Sequence, residues 1–402
     1  MQIAGLVGKP NSGKSTLFSA LTLIPVEIAS FPFTTIKPNR GIAYLTSPCV
    51  CKEFGVKDNP KNSTCNNGIR FIPIEIIDCP GIIYDAHKGR GLGLQFLDEI
   101  RQADALIVVC DASGSTDIDG NIISPGKFDP VEDIKMVERE YAYWIKEIIK
   151  NEWDKIIRNV EARKSNLTEL LEKKLTGLGI KAEHIEKAYE LCGLDNKKPS
   201  NWNDENLLEF SKALRKIAKP FIIAANKIDI PIAEENIKKL KELGYPVIPC
   251  SAEAERILRL AASNNLIRYT PGDSNFKIID ESKLNQKQLK VLKMIDEKVL
   301  AVWNSTGVQQ LINETYFKIL KYIPVYPVED VEKLTDHDGN VLPDVYLLLD
   351  GSTIKDLAYK IHTDLGKGFL YGIDVRTKMR LSDNYKLKWN DVVSIVSAMA
   401  RS

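Results

Sequence analysis

The sequence predicts an α/β chain: a parallel sheet with flanking helices, interrupted by a helical insertion and followed by a small α+β domain. Three observations carry this expectation. A strand, a glycine loop and a helix follow one another within the first 23 residues. Apolar runs of strand length recur at Ala105–Val109, Phe221–Ala225 and Val247–Pro249. A long Lys/Glu-rich stretch with helical periodicity separates the first of these runs from the second.

The opening unit is the most specific. Ile3–Val7 reads as a short buried strand and Lys14–Leu23 as a helix with Leu17, Phe18 and Leu21 facing inward. Between them, Gly8-Lys9-Pro10-Asn11-Ser12-Gly13-Lys14-Ser15 fits G-x-x-x-x-G-K-[ST] in the strand–loop–helix setting the motif requires. Glycines let successive backbone N–H groups curl around phosphate oxygens, and the helix N-terminus adds partial positive charge. Gly8, Asn11, Ser12, Gly13, Lys14, Ser15 and Thr16 are the candidate phosphate-binding residues, Lys14 reaching the β- and γ-phosphates and Ser15 ligating Mg²⁺. The alternative is an ordinary glycine-containing turn.

A loop follows, with Phe31-Pro32-Phe33-Thr34-Thr35 inside it. The strand Glu75–Ile77 ends in Asp78-Cys79-Pro80-Gly81, where an acid at a strand tip can hold a Mg²⁺ water and the glycine N–H can meet a γ-phosphate. Asp-x-x-Gly alone is common in turns and gains weight only downstream of the phosphate loop. Gly89-Arg90-Gly91-Leu92-Gly93 suggests a mobile switch. After Phe221–Ala225 comes Asn226-Lys227-Ile228-Asp229. A carboxylate at Asp229 fits the N1/N2 edge of guanine and not adenine, Asn226 supports the loop, and the Lys227 stem can lie across the base. Backbone N–H groups of Ser251 and Ala252 would meet the guanine O6. Taken alone, Asn226–Asp229 also reads as a helix cap or turn.

Composition narrows the class. The 402 residues are 44% apolar and 27% charged, with 55 Lys/Arg against 54 Asp/Glu and a net charge of +1, which is ordinary globular usage. No apolar run approaches the roughly 18–20 residues of a membrane helix, and the seven cysteines read as reduced thiols. A soluble, cytoplasmic monomer is expected.

Some 145 residues separate Gly81 from Asn226, more than one strand and its crossovers need. The surplus is an inserted helical domain at 129–218, marked by Val131, Ile134, Val137, Tyr141, Trp144 and Ile148 at three- and four-residue steps. Trp144 and Trp153 are core residues or partner-binding anchors. The remaining parts are a sheet domain at 1–128 and 219–270, a helical connector at 271–324, and an α+β domain at 325–402, with Pro324–Pro327 as a linker. From Gly351 onward nine Lys/Arg, among them Arg376, Lys378 and Arg380, face five Asp; that is an RNA-binding face or a solvated one. Cys49-x-Cys51 with Cys65 resembles part of a zinc knuckle lacking a fourth ligand unless Asp58 or His87 serves. His87 could orient water or be an exposed loop histidine.

Together, Gly8–Ser15, the Phe-Pro-Phe-Thr-Thr loop, Asp78–Gly81 with Gly89-x-Gly-x-Gly, and Asn226–Asp229 resemble an Obg-type translational GTPase of the YchF-like branch. The C-terminal Asp350-Gly-Ser-Thr-x-x-Asp-Leu-Ala-x-x-Ile-His resembles a β-grasp TGS domain. The resemblance implies a P-loop G domain with an inserted helical domain and a C-terminal TGS domain. It also implies GTP and GDP as ligands, and a ribosome or structured RNA as partner through the TGS domain. Mg²⁺ would be held by Ser15, Thr35 and Asp78, with Lys14, Thr35 and Gly81 at the reacting phosphate; Thr34 is the alternative to Thr35. ATPases of the YchF branch lack Asn-Lys-x-Asp, whereas this chain keeps Asn226, Lys227 and Asp229. At the position of the catalytic glutamine of many GTPases stands Ile82, which cannot polarise water. In cation-dependent relatives an asparagine matching Asn11 helps bind K⁺; otherwise Asn11 stabilises the loop. Three functions fit: a slow GTP-hydrolysing switch on a ribosome or RNA, an ATPase of the same fold, or a nucleotide-gated scaffold.

Overall fold

The computed structural model describes residues 2–25, 39–88, 101–162, 164–194 and 198–398. The chain divides into two compact units, residues 1–42 with 75–311 and residues 43–74 with 312–402.

In the first unit, strand β1 (Ile3–Val7) leads through the glycine loop into helix α1 (Lys14–Thr22). The chain then enters the second unit along β2 (Asn39–Pro48), turns through the short β3 (Thr64–Asn66), and returns along β4 (Ile69–Asp78). With β5 (Ala105–Asp111), β6 (Phe221–Asn226) and β7 (Val247–Cys250), the strand order is β2-β4-β1-β5-β6-β7. The run β4-β1-β5-β6-β7 is parallel throughout. Every residue of β5 and β6 is buried, as expected for parallel strands covered on both faces. The register pairs Leu6 with Asp78, Asp111 with Asn226 and Asn226 with Cys250, so the ends of the strands line up. The order reverses at β1, which opens a crevice beyond the carboxyl ends of the strands.

Among the described residues of the insertion, the helices are α2 (Val131–Lys150), α3 (Trp153–Glu161), α4 (Leu167–Leu175), α5 (Ala182–Cys192) and α6 (Asp204–Ala218). The stripe read from the sequence is the buried face of α2, where Ile134, Val137, Tyr141 and Ile145 are inaccessible to solvent. Trp153 lies 5.4 Å from Trp202, and Tyr189 stacks on Phe210 at 5.0 Å, each such pair contributing roughly 0.5–1.5 kcal/mol beyond its buried area. Trp153 is therefore a core residue, and Trp144 is half-buried against the edge of Tyr141. After β6 come α7 (Ala233–Lys241), α8 (Ala252–Ser263), the hairpin β8 (Ile267–Arg268) with β9 (Lys277–Ile278), and α9 (Gln286–Ile295), whose N-cap Asn285 accepts from the Gln288 N–H. Among the described residues no helix is long and apolar enough to cross a membrane.

The second unit holds a five-stranded sheet of β10 (Tyr322–Val328), β11 (Tyr346–Leu349), β12 (Phe369–Asp374), β13 (Arg380–Leu381) and β14 (Val392–Ser397), in the order β11-β10-β14-β12-β13. Helix α10 (Ile354–Ile361) is capped by Thr353, whose hydroxyl accepts from the Asp356 N–H, and α11 (Thr363–Lys367) follows. Ile354 and Leu357 of α10 pack with Ile323, Val325, Leu348 and Val393.

Two expectations need correction. Pro324–Pro327 is no linker but the middle of β10, because the strand splits its pairing: Tyr322–Val325 runs against β11 and Tyr326–Val328 beside β14. Neither ladder then needs an N–H from both prolines. A boundary at 325 cuts this strand. Residues 43–74, expected within the first domain, belong to the second unit. Their anchor is Arg70, fully buried, which donates to the Leu342 carbonyl and Ser63 Oγ at 3.1 Å each and pairs with Asp58 at 3.1 Å.

Candidate nucleotide site

The glycine loop is shaped by what lies against it. Gly13 has a φ of 100°, and a Cβ there would sit 2.1 Å from Asn226 Nδ2, so only glycine fits. Asn11 also takes the left-handed region, at φ 59°, and its Nδ2 donates to the Gly120 carbonyl at 2.9 Å. That contact supports the loop-stabilising alternative for Asn11.

Lys14 is buried and its Nζ donates to the Lys9 carbonyl at 2.8 Å. Burial lowers its pKa, opposed by the nearby Asp78 carboxylate. Ser15 Oγ donates to Asp78 Oδ2 at 2.8 Å, and burial raises the Asp78 pKa against Lys14 and Ser15. Asp78 Oδ1 and Ser12 Oγ are buried with no hydrogen-bond partner among the described residues. Orphaned polar atoms of this kind call for a ligand or ion. Thr16 continues the first turn of α1. Gly81 comes close enough to Pro10 that a Cβ would stand 2.9 Å from its ring, and the next residue's N–H donates to the Gly8 carbonyl at 3.0 Å. That next residue, Ile82, is buried in the apolar core. Thr35, with its alternative Thr34, and the Gly89–Gly93 run lie outside the described residues.

Asn226 ties the phosphate loop to the base loop. Its Nδ2 donates to the Ser12 carbonyl at 3.0 Å, and its Oδ1 accepts from the Ala252 N–H at 3.0 Å. Asp229 is half-buried, with Oδ1 accepting from Ser251 Oγ at 3.3 Å. One expected role changes here. The Ser251 N–H goes to the Thr306 carbonyl and the Ala252 N–H to Asn226, so both amides brace the pocket rather than standing open for O6. Lys227, left-handed at φ 69°, sends its Nζ to Asp111 at 2.9 Å.

Residues that no motif marks complete the site. Asp111, at the end of β5, accepts from the hydroxyls of Ser113, Ser115 and Thr116 besides Lys227; burial raises its pKa, but Lys227 and these donors hold it below the ordinary value. Lys9 is fully buried, 2.9 Å from Asp133 at the start of α2, 3.8 Å above the Phe128 ring, and donating to the Thr116 carbonyl. Burial pushes the Asp133 carboxyl up to about 7 against the opposing charge of Lys9. His87 is not an exposed loop histidine: its side chain is 4% exposed, with Nδ1 2.5 Å from Glu140 Oε2. Glu140, fully buried on α2, also accepts from the Asp85 and His87 N–H groups. Only the position of His87 after Asp-x-x-Gly could have pointed to this clamp.

Comparison with known proteins follows the same segments. Residues 3–149 match the 50S ribosome-binding GTPase family, residues 224–330 the G4-motif-containing domain of Obg-like GTPases of the YGR210-like kind, and residues 334–397 the TGS domain. A GTP-binding protein of Methanocaldococcus jannaschii is 50% identical over 99% of this chain and 100% of its own length. The ribosome-binding ATPase YchF of Bacillus subtilis is 29% identical over 79% of this chain and 82% of its own. The crystal structure of a GTP-binding protein from Pyrococcus horikoshii superposes with a TM-score of 0.78 at 40% identity, covering 99% of this chain and 100% of that one.

Proposed function

The chain belongs to the Obg-type GTPases, in their YchF-like branch with a C-terminal TGS domain, and from that premise we propose that it binds GTP, hydrolyses it slowly to GDP and phosphate, and acts as a switch on a ribosomal particle or structured RNA. The observation that carries the nucleotide reading is the double hydrogen bond of Asn226, which fastens the phosphate loop at Ser12 to the base loop at Ala252 and leaves Asp229 beside them. A carboxylate so placed accepts from the N1 and N2 hydrogens of guanine and has no complement on adenine.

Ser15 and Asp78 would hold Mg²⁺, with Thr35 as the third residue, and the ion when bound would neutralise charge on the β- and γ-oxygens. Lys14 lies in the same loop, poised to exchange its bond to the Lys9 carbonyl for phosphate oxygens. Gly81 would present its backbone N–H to the γ-phosphate. Ile82 cannot orient water, so intrinsic turnover is slow; Asn11 is the candidate residue for a K⁺ that would supply positive charge near the bridging oxygen. The ribosomal partner is supported by the names of the matched family and of the Bacillus relative. The second unit, which contains the TGS domain, is the proposed docking module, acting in the cytoplasm.

Competition of unlabelled GTP and ATP for a fluorescent guanine nucleotide tests the base preference. GTP should displace it far more effectively. Equal displacement would favour an ATPase of the same fold.

A further inference from the structure

We propose that Cys49, Cys51, Asp58 and Cys65 form a structural Zn²⁺ site in the second unit. The four offer one ligand atom each, and these atoms all lie within 4.8 Å of one another. The local fold brings them together. Cys49 and Cys51 sit in the tight turn that follows β2, where the Cys49 N–H donates to the Gly68 carbonyl and the Val56 N–H to the Cys51 carbonyl. Cys65 lies on β3, held in register opposite Arg70 of β4.

The spacing suits the ion. Cys51 Sγ and Cys65 Sγ are 3.8 Å apart, and a tetrahedral site with Zn–S bonds of about 2.3 Å has S···S edges of about 3.8 Å. Cys49 Sγ lies 3.2 Å from Asp58 Oδ2, somewhat inside the S···O edge of about 3.5 Å of such a site. Asp58 thus supplies the fourth ligand that the cysteines alone lack, while His87 belongs to the other unit.

The electrostatics of the surroundings agree. The three cysteines are free of disulfides, Cys49 and Cys51 buried and Cys65 half-buried. A divalent cation binding there would displace three protons to solvent, leaving three thiolates and a carboxylate around the metal. Arg70, fully buried and 3.1 Å from Asp58, then offsets part of the excess negative charge. An outer contact of this kind orients the carboxylate ligand of a closed structural site. Such a site would pin the 49–65 turn to the strand that carries Arg70.

The test is zinc content and zinc uptake of the full-length chain in reductant. The chain should carry about one Zn²⁺ per molecule, lose it to a chelator with a fall in melting temperature, and regain both on titration with Zn²⁺. Excess Mg²⁺ should not compete. X-ray absorption of the loaded chain should show three sulfurs at about 2.3 Å and one oxygen at about 2.0 Å. A Cys51→Ser/Cys65→Ser variant should lose the metal, and Cys65→Ser alone, at a half-buried position, should weaken it. Failure of the stripped wild-type chain to take up Zn²⁺ in reductant would overturn the site, whatever the variants do. Zinc uptake unchanged in the folded double variant, or a Cys51–Cys65 disulfide in the chain isolated without oxidant, would overturn it as well.

Discussion

Asp229, Lys14 and Lys9 carry three different kinds of energy at the nucleotide site. In the proposed function Asp229 would discriminate, because adenine would leave a half-buried carboxylate without its two donors, a mismatch that can reach about 10⁴-fold. Asp229→Asn should weaken GTP and improve xanthosine triphosphate, whose ring oxygen can take a bond from the amide; fluorescence titration of both nucleotides checks this. Lys14 would supply charge to the β- and γ-phosphates, so Lys14→Ala should abolish hydrolysis; wild-type turnover in single-turnover assays would mean the loop does not hold phosphate. Lys9 does neither. It is locked between Asp133, Phe128 and the Thr116 carbonyl, so Asp133→Ala should destabilise by roughly 3–5 kcal/mol through an unpaired buried charge. The double change Lys9→Met/Asp133→Leu should recover much of that loss in urea unfolding. Asn11 adds a test of cation use: hydrolysis should run faster in K⁺ than in Na⁺ at equal ionic strength, with the difference erased by Asn11→Ala. Equal rates would confine Asn11 to its bond with Gly120.

At the scale of elements, the segment after Gly81 is held to the insertion by the carboxylate of Glu140, by Tyr143 stacked on the His87 ring and by Arg139 over the Tyr84 ring. Glu140 on α2 accepts from the Asp85 and His87 N–H groups and from the His87 ring. Glu140→Ala should therefore speed amide exchange at Asp85 and His87, read by hydrogen–deuterium exchange, while fold and melting temperature change far less than with Asp133→Ala. The same stretch shows what a sequence can disclose. Gly13, Lys14, Asp78 and Asn226 were legible because phosphate and base chemistry demand fixed residue types at short local spacings. The helices were legible from periodicity, as the buried Ile134, Val137 and Tyr141 of α2 show. Asp111, Lys9–Asp133 and Glu140 were not, since each depends on partners far off in the chain that no local pattern links. The strand through Pro324 and Pro327 escaped for a related reason: local proline chemistry reads as a linker, and only the division of its pairing between β11 and β14 makes a strand possible.

At the scale of the molecule, two units share one chain, and the segment 43–74 belongs with 312–402. A fragment of residues 325–402 therefore lacks Arg70 and three of the four antiparallel pairs of β10, and should fold poorly beside one that joins 43–74 to 312–402; far-UV circular dichroism and urea unfolding of the two would tell them apart. The basic patch expected to touch RNA is also partly committed. Arg376 makes two bonds to Glu53, Lys378 pairs with Glu332 at 3.0 Å, and Arg380 lies 4.3 Å over the Tyr371 ring. Charge reversal at Arg376 would thus loosen the unit itself, whereas the exposed Lys360 and Lys367 are cleaner probes of an RNA face. The central claim is that the nucleotide gates attachment to a ribosomal particle. Co-sedimentation of the full-length chain with ribosomal particles in GDP, in GTP and in a non-hydrolysable GTP analogue tests it most directly. Pelleting should be strong with the analogue and weak with GDP, and Asp229→Asn should abolish the difference. Equal pelleting in both nucleotides, or none in either, would contradict a nucleotide-gated switch on the ribosome.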